Sequence, residues 1–172
     1  MPSNVLYSDL VSTTNGSTGR RIFLIDDEQL VLDSLETLLT LETEHETHAF
    51  TSPRAALDAA EAGQVDVVIS DFFMPEMDGI ACLTEFRRLH PAAPRILLTG
   101  YADKDSAIRA INQVGLFQYL EKPWNNDDLL LVLRNAVERK ELLDLIGEQA
   151  AEIEARSGAL RGIRKDILRT LA

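Results

Sequence analysis

Apolar residues in this chain come as short runs separated by amphipathic stretches. Ile22-Phe23-Leu24-Ile25 is a four-residue apolar run that ends in Asp26-Asp27, the signature of a buried strand. A helix is predicted next, with Leu30, Val31, Leu35, Leu38 and Leu39 on its apolar face. Thr47 to Phe50 predicts a polar strand suited to a sheet edge. Ser52-Pro53 reads as an N-cap followed by a first-turn proline, opening a helix through about Ala62 that Gly63 stops. Val65 to Ile69 predicts the next strand, running into Ser70-Asp71, and a loop with Pro75 and Gly79 leads to a helix through Leu89. Pro91 and Pro94 precede the buried run Arg95-Ile96-Leu97-Leu98, which ends at Thr99. Asp103 is placed to cap a helix carrying Ala107, Ile108, Ile111 and Val114 on one face. Phe117 to Leu120 predicts a fifth strand, ending at Glu121-Lys122-Pro123, and a last helix starts near Asn126.

Five strands alternating with five helices imply an α/β fold whose parallel sheet is covered on both faces. Right-handed crossovers and short loops favour a doubly wound sheet. In such sheets the functional crevice lies beyond the carboxyl ends of the strands. Asp26-Asp27, Asp71, Thr99 and Lys122 stand at four of the five predicted strand ends; the fifth ends at Phe50 and offers nothing ionisable.

That convergence sets the chemistry. Carboxylates at about 4 Å in an effective dielectric of about 20 repel by roughly 4 kcal/mol per pair, so one takes up a proton or a cation neutralises them. Only oxygen ligands are on offer, which favours a hard divalent ion such as Mg²⁺ over zinc. Lys122 supplies a point charge suited to a phosphate oxygen, and the Thr99 hydroxyl can donate a hydrogen bond. Asp71 is then a carboxylate nucleophile with an aspartyl phosphate as its product.

Composition narrows the partners. The chain of 172 residues carries a net charge of −11, which argues against unaided nucleic-acid binding. No apolar run approaches the roughly 20 residues needed to span a bilayer, and no secretory signal pattern stands at the N-terminus. A single cysteine, Cys82, makes a reducing cytoplasm the default; it is expected to be a helix-core thiol. His45 and His48 are expected to be solvent-exposed, His90 to sit at a helix end beside the last carbonyls, and Trp124 to pack at the start of the last helix.

The segments Leu24-Ile25-Asp26-Asp27-Glu28, Asp71-Phe72-Phe73-Met74-Pro75-Glu76-Met77-Asp78-Gly79, Leu98-Thr99-Gly100-Tyr101 and Tyr119-Leu120-Glu121-Lys122-Pro123-Trp124 together resemble the receiver domain of two-component response regulators, over about residues 20–137. The resemblance implies a flavodoxin-like sheet in the order 2-1-3-4-5. It also implies phosphorylation of Asp71 by a partner histidine kinase or phosphotransfer protein, and Mg²⁺ held by Asp26, Asp27, Asp71 and the Phe73 carbonyl. Lys122 and Thr99 would contact the phosphoryl group, Tyr119 would be an aromatic switch coupled to Thr99, and Lys122-Pro123 a cis bond. Phe73 and Tyr101, two residues after Asp71 and Thr99, would screen the product and slow its hydrolysis. A haloacid-dehalogenase reading fails because Phe73 stands where that motif needs a second Asp. A P-loop is excluded, since no glycine-rich loop with Lys-Ser or Lys-Thr exists. A scaffold that keeps only the fold is disfavoured by the intact Asp71, Lys122 and Thr99. The expected output is a conformational signal to a downstream protein, not turnover chemistry.

Residues 1–19, rich in Ser, Thr, Asn and Gly, read as a disordered leader. Residues 138–172 read as a helical tail, too short for a helix-turn-helix output domain. Ile146, Ile153, Leu160 and Ile167 recur at seven-residue spacing, with Leu142 and Ile163 at some d positions. Gln149, Arg156 and Thr170 fall at the others and weaken the seam. A parallel coiled-coil homodimer is expected, against a helix folded back on the receiver or a linker to an output domain. The tail is charge-polarised: residues 138–154 hold 6 acids and 2 bases, and residues 155–172 hold 1 acid and 5 bases. Such runs are either a solvated helix face or a docking surface.

Overall fold

The computed structural model describes residues 19–100 and 114–170, the stretch 159–170 by its backbone course alone. Five strands form one parallel sheet: β1 Arg21–Ile25, β2 Glu46–Phe50, β3 Val67–Asp71, β4 Arg95–Thr99 and β5 Gln118–Glu121, in the order β2-β1-β3-β4-β5. Four helices lie among the described residues: α1 Gln29–Glu42, α2 Pro53–Ala62, α3 Gly79–Leu89 and α4 Asn126–Thr170. The helix expected to carry Ala107, Ile108 and Ile111 falls outside the described residues. Val114, assigned to its face, is buried. The expected flavodoxin-like architecture is thus the observed one.

The strand period of two divides the core. Phe23, Ile25, Val68 and Leu97 face one side, where α2 and α3 add Ala56, Ala60, Cys82, Leu83 and Phe86. Ile22, Leu24, Val67, Ile69, Ile96 and Leu98 face the other, under Leu32, Leu35 and Leu39 of α1 and Leu129, Leu133, Ala136 and Val137 of α4. The three central strands are therefore continuous apolar runs, while the edge strands β2 and β5 keep partial exposure.

Local chemistry sets the helix starts, at Ser52 as expected and at Asp78 in addition. The Ser52 hydroxyl accepts from the Ala55 amide (3.3 Å) with Pro53 in the first turn, and the Asp78 carboxylate accepts from the Ala81 amide (2.7 Å). Gly79 is needed for close approach: a Cβ there would lie 2.1 Å from the Asp71 carbonyl oxygen and 2.9 Å from Leu97 Cδ1.

Several expectations are corrected. Leu30 is 79% exposed, and the inward position is Leu32. His45 and His48 are half-buried, not solvated: His45 Nδ1 accepts from the Arg20 amide (3.3 Å), and the His48 ring lies 5.5 Å from that of Phe23. Burial lowers the pKa of His45. His90 stands at the end of α3, as expected, its amide donating to Phe86 O (2.8 Å), and its ring reaches across to the Ala60 carbonyl of α2 (2.7 Å). Cys82 is in the core, where burial pushes its thiol up to about 12. Trp124 packs against the α1/α4 core, as expected.

Candidate functional site

The carboxyl ends of β1, β3, β4 and β5 converge on one edge of the sheet. Asp26 follows β1 directly, and its amide extends the ladder by donating to Phe50 O (3.2 Å). Its carboxylate is fully buried, and Oδ1 accepts from the Glu28 amide (2.9 Å), which turns the chain into α1. Asp71 closes β3. Phe72 N, just beyond it, donates to Leu98 O (2.9 Å), and Phe72 O accepts from Gly79 N (2.8 Å), so Asp71 sits in a tightly folded strand-to-loop corner. Asp27 is exposed beside them. One carboxylate oxygen from each of Asp26, Asp27 and Asp71 lies within 4.8 Å of the other two.

Lys122 enters from the far edge. Its amide donates to Thr99 O (2.8 Å), and Nζ lies 2.7 Å from Asp26 Oδ2 and 2.7 Å from Asp71 Oδ1. The peptide bond from Lys122 to Pro123 is cis. One ammonium thus bridges two of the three carboxylates. Burial would lower the Lys122 pKa, but its hydrogen bonds to Asp26 and Asp71 outweigh that and raise it. Burial raises the Asp71 pKa and Asp26 adds to it, against the lowering effect of Lys122.

Thr99 is buried at the end of β4, and its hydroxyl donates to Gly100 O (3.2 Å). Tyr119, on β5, is half-buried against the α2/α3 core. The Phe73 side chain is 63% exposed, its ring 4.8 Å from that of Phe72. Tyr101 lies outside the described residues.

All the donors at this edge are hard oxygens, and a single lysine leaves their charge uncompensated. The residues present fit a hard divalent cation, with Asp26, Asp27 and Asp71 as its protein ligands.

Sequence reasoning missed two sets of contacts. Glu76, in the β3–α3 loop, accepts from Ser52 Oγ (3.1 Å) and lies 3.8 Å from Arg54 Nε, fastening the loop to the start of α2. At the opposite edge of the sheet, Arg20, Asp66, Lys140 and Asp144 form an ionic cluster. Apart from the i,i+4 pair Lys140–Asp144, these contacts have no local signal, because they join residues far apart in sequence.

The sequence description of the response regulator receiver domain matches residues 22–134. Regulatory protein AtoC of Escherichia coli K12 is 39% identical over 118 residues, covering 69% of this chain and 25% of that protein. The DNA-binding transcriptional regulator NtrC of Proteus hauseri is 34% identical over 116 residues, covering 67% of this chain and 24% of that protein. Among solved structures, the signal receiver domain of an HD domain-containing protein from Pseudomonas fluorescens Pf-5 matches with a TM-score of 0.68 and 35% identity, covering 72% of this chain and 98% of that one. The chain spans about a quarter of the length of these curated relatives. One of them is DNA-binding by name, so the expectation of no direct nucleic-acid contact, drawn from net charge, finds no support in them. No helix among the described residues is long and apolar enough to cross a membrane.

Proposed function

The chain belongs to the receiver domain family of response regulators, and from that premise we propose that it is a phosphoacceptor switch in which Asp71 takes a phosphoryl group from a phosphohistidine of a partner kinase or phosphotransfer protein. A carboxylate oxygen of Asp71 attacks phosphorus, the P–N bond breaks, its electron pair stays on the imidazole, and an aspartyl phosphate forms. The observation that carries this reading is the Lys122 ammonium 2.7 Å from the Asp71 carboxylate, within a three-carboxylate cluster at the strand ends.

Asp26, Asp27, Asp71 and the Phe73 carbonyl would hold Mg²⁺, which when bound neutralises charge on the cluster and on the arriving phosphoryl oxygens. Lys122 holds Asp26 and Asp71 together before transfer and is placed to turn to a phosphoryl oxygen afterwards. The Thr99 hydroxyl exchanges Gly100 O for the phosphoryl group, and the space it leaves draws Tyr119 inward. The exposed Phe73 ring stands over the approach of water. The only chemistry catalysed is the chain's own phosphorylation and dephosphorylation, in the cytoplasm.

The domain division follows the same reading: a leader over residues 1–19, the receiver over 20–137 and a helical tail over 138–172. Leu142, Ile146 and Ile153 of the tail are 57%, 52% and 65% exposed at a/d spacing, which favours a second copy as their cover and a downstream protein as reader of the paired tails.

Intact-mass measurement with a small phosphodonor and Mg²⁺ tests the central claim. One added phosphoryl group is expected in the parent and none in Asp71→Asn; equal labelling of both removes the assignment.

A further inference from the structure

The stripe of α4 that faces the sheet continues past the apolar core. Leu129, Leu133, Ala136 and Val137 are buried at helical spacing, and the next position on the stripe is Lys140, only 6% exposed. An aliphatic side chain there would need only apolar cover, whereas a buried ammonium needs counter-charge. Lys140 Nζ has it in Asp144, one turn on, and in Asp66 Oδ1 at 3.6 Å.

Asp66 is itself buried and independently held, Oδ2 accepting from the Arg21 amide (2.9 Å) and Oδ1 from Gln64 Nε2 (3.0 Å). These bonds, with Lys140 and Arg20, keep its carboxyl below the usual range in spite of burial, which acts the other way. Arg20 closes the cluster, with Nη1 3.5 Å from Asp66 Oδ1 and 3.2 Å from Asp144 Oδ2, and Nη2 3.4 Å from Glu141 Oε1. The chain before β1, the residue before β3 and α4 are thereby tied at one point. Past residue 146 the helix leaves the body: Gly147 has nothing within 4 Å of its Cβ position, and Ile153 is 65% exposed.

We propose that Arg20, Asp66, Lys140 and Asp144 form an ionic latch that fixes the direction in which α4 leaves the receiver. Residues 138–146 belong to the rigid body because the latch is closed; with it open, the helix beyond Val137 moves independently. A buried ion pair is a weak source of net stability but specifies geometry strongly, since moving one partner strands the other charge away from water. Lys140 is therefore a positioning residue for the tail. The inference rests on burial and distances far from Asp71 and holds whether or not Asp71 is phosphorylated.

Hydrogen exchange read by mass spectrometry on the full, unphosphorylated chain tests it. Lys140→Met keeps the apolar stem and removes the charge, so plain packing would tolerate it. The latch requires the amides of residues 138–146 to exchange roughly tenfold faster or more in Lys140→Met, with β1 and β3 peptides unchanged and Lys140→Arg closer to the parent. Arg20→Gln, at the partly exposed rim of the cluster, should give a smaller change of the same sign and decides the matter if Lys140→Met does not fold. Parent-like protection of residues 138–146 in the folded variants overturns the latch. So does an acceleration spread evenly over the domain, which would make the cluster an ordinary contributor to stability.

Discussion

Replacing Asp71 by Asn should stabilise the metal-free protein. At an effective dielectric of about 20, the Lys122 ammonium at 2.7 Å attracts the Asp71 carboxylate by about 6 kcal/mol. Asp26, whose ligand oxygen lies within 4.8 Å, repels it by about 3.5 kcal/mol or more, and exposed Asp27 adds a smaller, solvent-screened share. The repulsions offset more than half of the attraction, and burial of the Asp71 carboxylate, the largest influence on its pKa, then decides the sign. Asn keeps an oxygen for Lys122 and loses the charge. We expect a gain of about 1–2 kcal/mol at pH 7 in a chelating buffer, a melting temperature higher by about 2–6 °C. The pH dependence follows from the raised pKa. The Asp71 contribution is at full strength below the ordinary carboxylate value of 3.8 and is lost as pH climbs through the raised folded value, so the gap between parent and variant should open between acid and neutral pH. Mg²⁺ should narrow it by stabilising the parent more than the variant. Calorimetry or urea unfolding of both proteins, with and without Mg²⁺, is the assay. An Asn variant less stable than the parent at pH 7 without metal would refute the reasoning.

The two residues proposed to contact the phosphoryl group should fail differently. Lys122→Ala leaves the carboxylate cluster without its cation, so phosphorylation or its structural consequence is impaired. Thr99→Ala removes only a hydrogen bond to the product and leaves labelling possible while uncoupling Tyr119; equal and total loss of labelling in both contradicts this division. For the tail, Ile146→Glu and Ile153→Glu alter residues that are exposed in the single chain, so the receiver should fold normally while the dimer dissociates. A micromolar dimer requires about 8 kcal/mol, and each buried Ile contributes roughly 1.5–3 kcal/mol, so the pair of changes should return a monomer by light scattering. A parent that is monomeric at tens of micromolar ends the dimer reading.

The strand ends were legible in the sequence because a parallel, doubly wound sheet has little freedom. Once the apolar runs are placed, a single crossover hand brings Asp26, Asp27, Asp71, Thr99 and Lys122 to one edge. Their mutual contacts were not legible: the bridge from Lys122 to Asp26 joins residues 96 apart, which no local pattern encodes. Leu30 was misplaced because α1 offers more leucines than one face can hold. Leu32, Leu35 and Leu39 share a stripe, and Leu30, two residues or about 200° from Leu32, points away from it. The half-burial of His45 and His48 escaped because a polar edge strand looks solvated until Arg20 and Phe23 are seen against it. The acidic run 138–154 reads as one solvated face, and for Glu148, Glu152 and Glu154 it is exposed. Glu141 and Asp144 instead turn to Arg20, a partner more than a hundred residues earlier.

The placement of Lys122 and Tyr119 on the same short edge strand has a mechanical consequence. β5 is paired only to β4, so its backbone is held on one side, and Lys122 N bonds Thr99 O at the very end of that ladder. Moving the Lys122 ammonium away from two carboxylates pulls on a strand with half the anchoring of β1 or β3. The strands that lead to Asp26 and end at Asp71 are paired on both sides and largely buried. On the proposed switch, displacement at the site would be directed into β5, and from Leu120 of β5 through the core it shares with Trp124 and Leu129 into the start of α4. The same helix, farther along, is pinned at Lys140 to Asp66. A shift applied at one end of its packed segment and resisted at the other would become a change in tilt, and the helix beyond residue 146 would convert a small tilt into a larger displacement farther along.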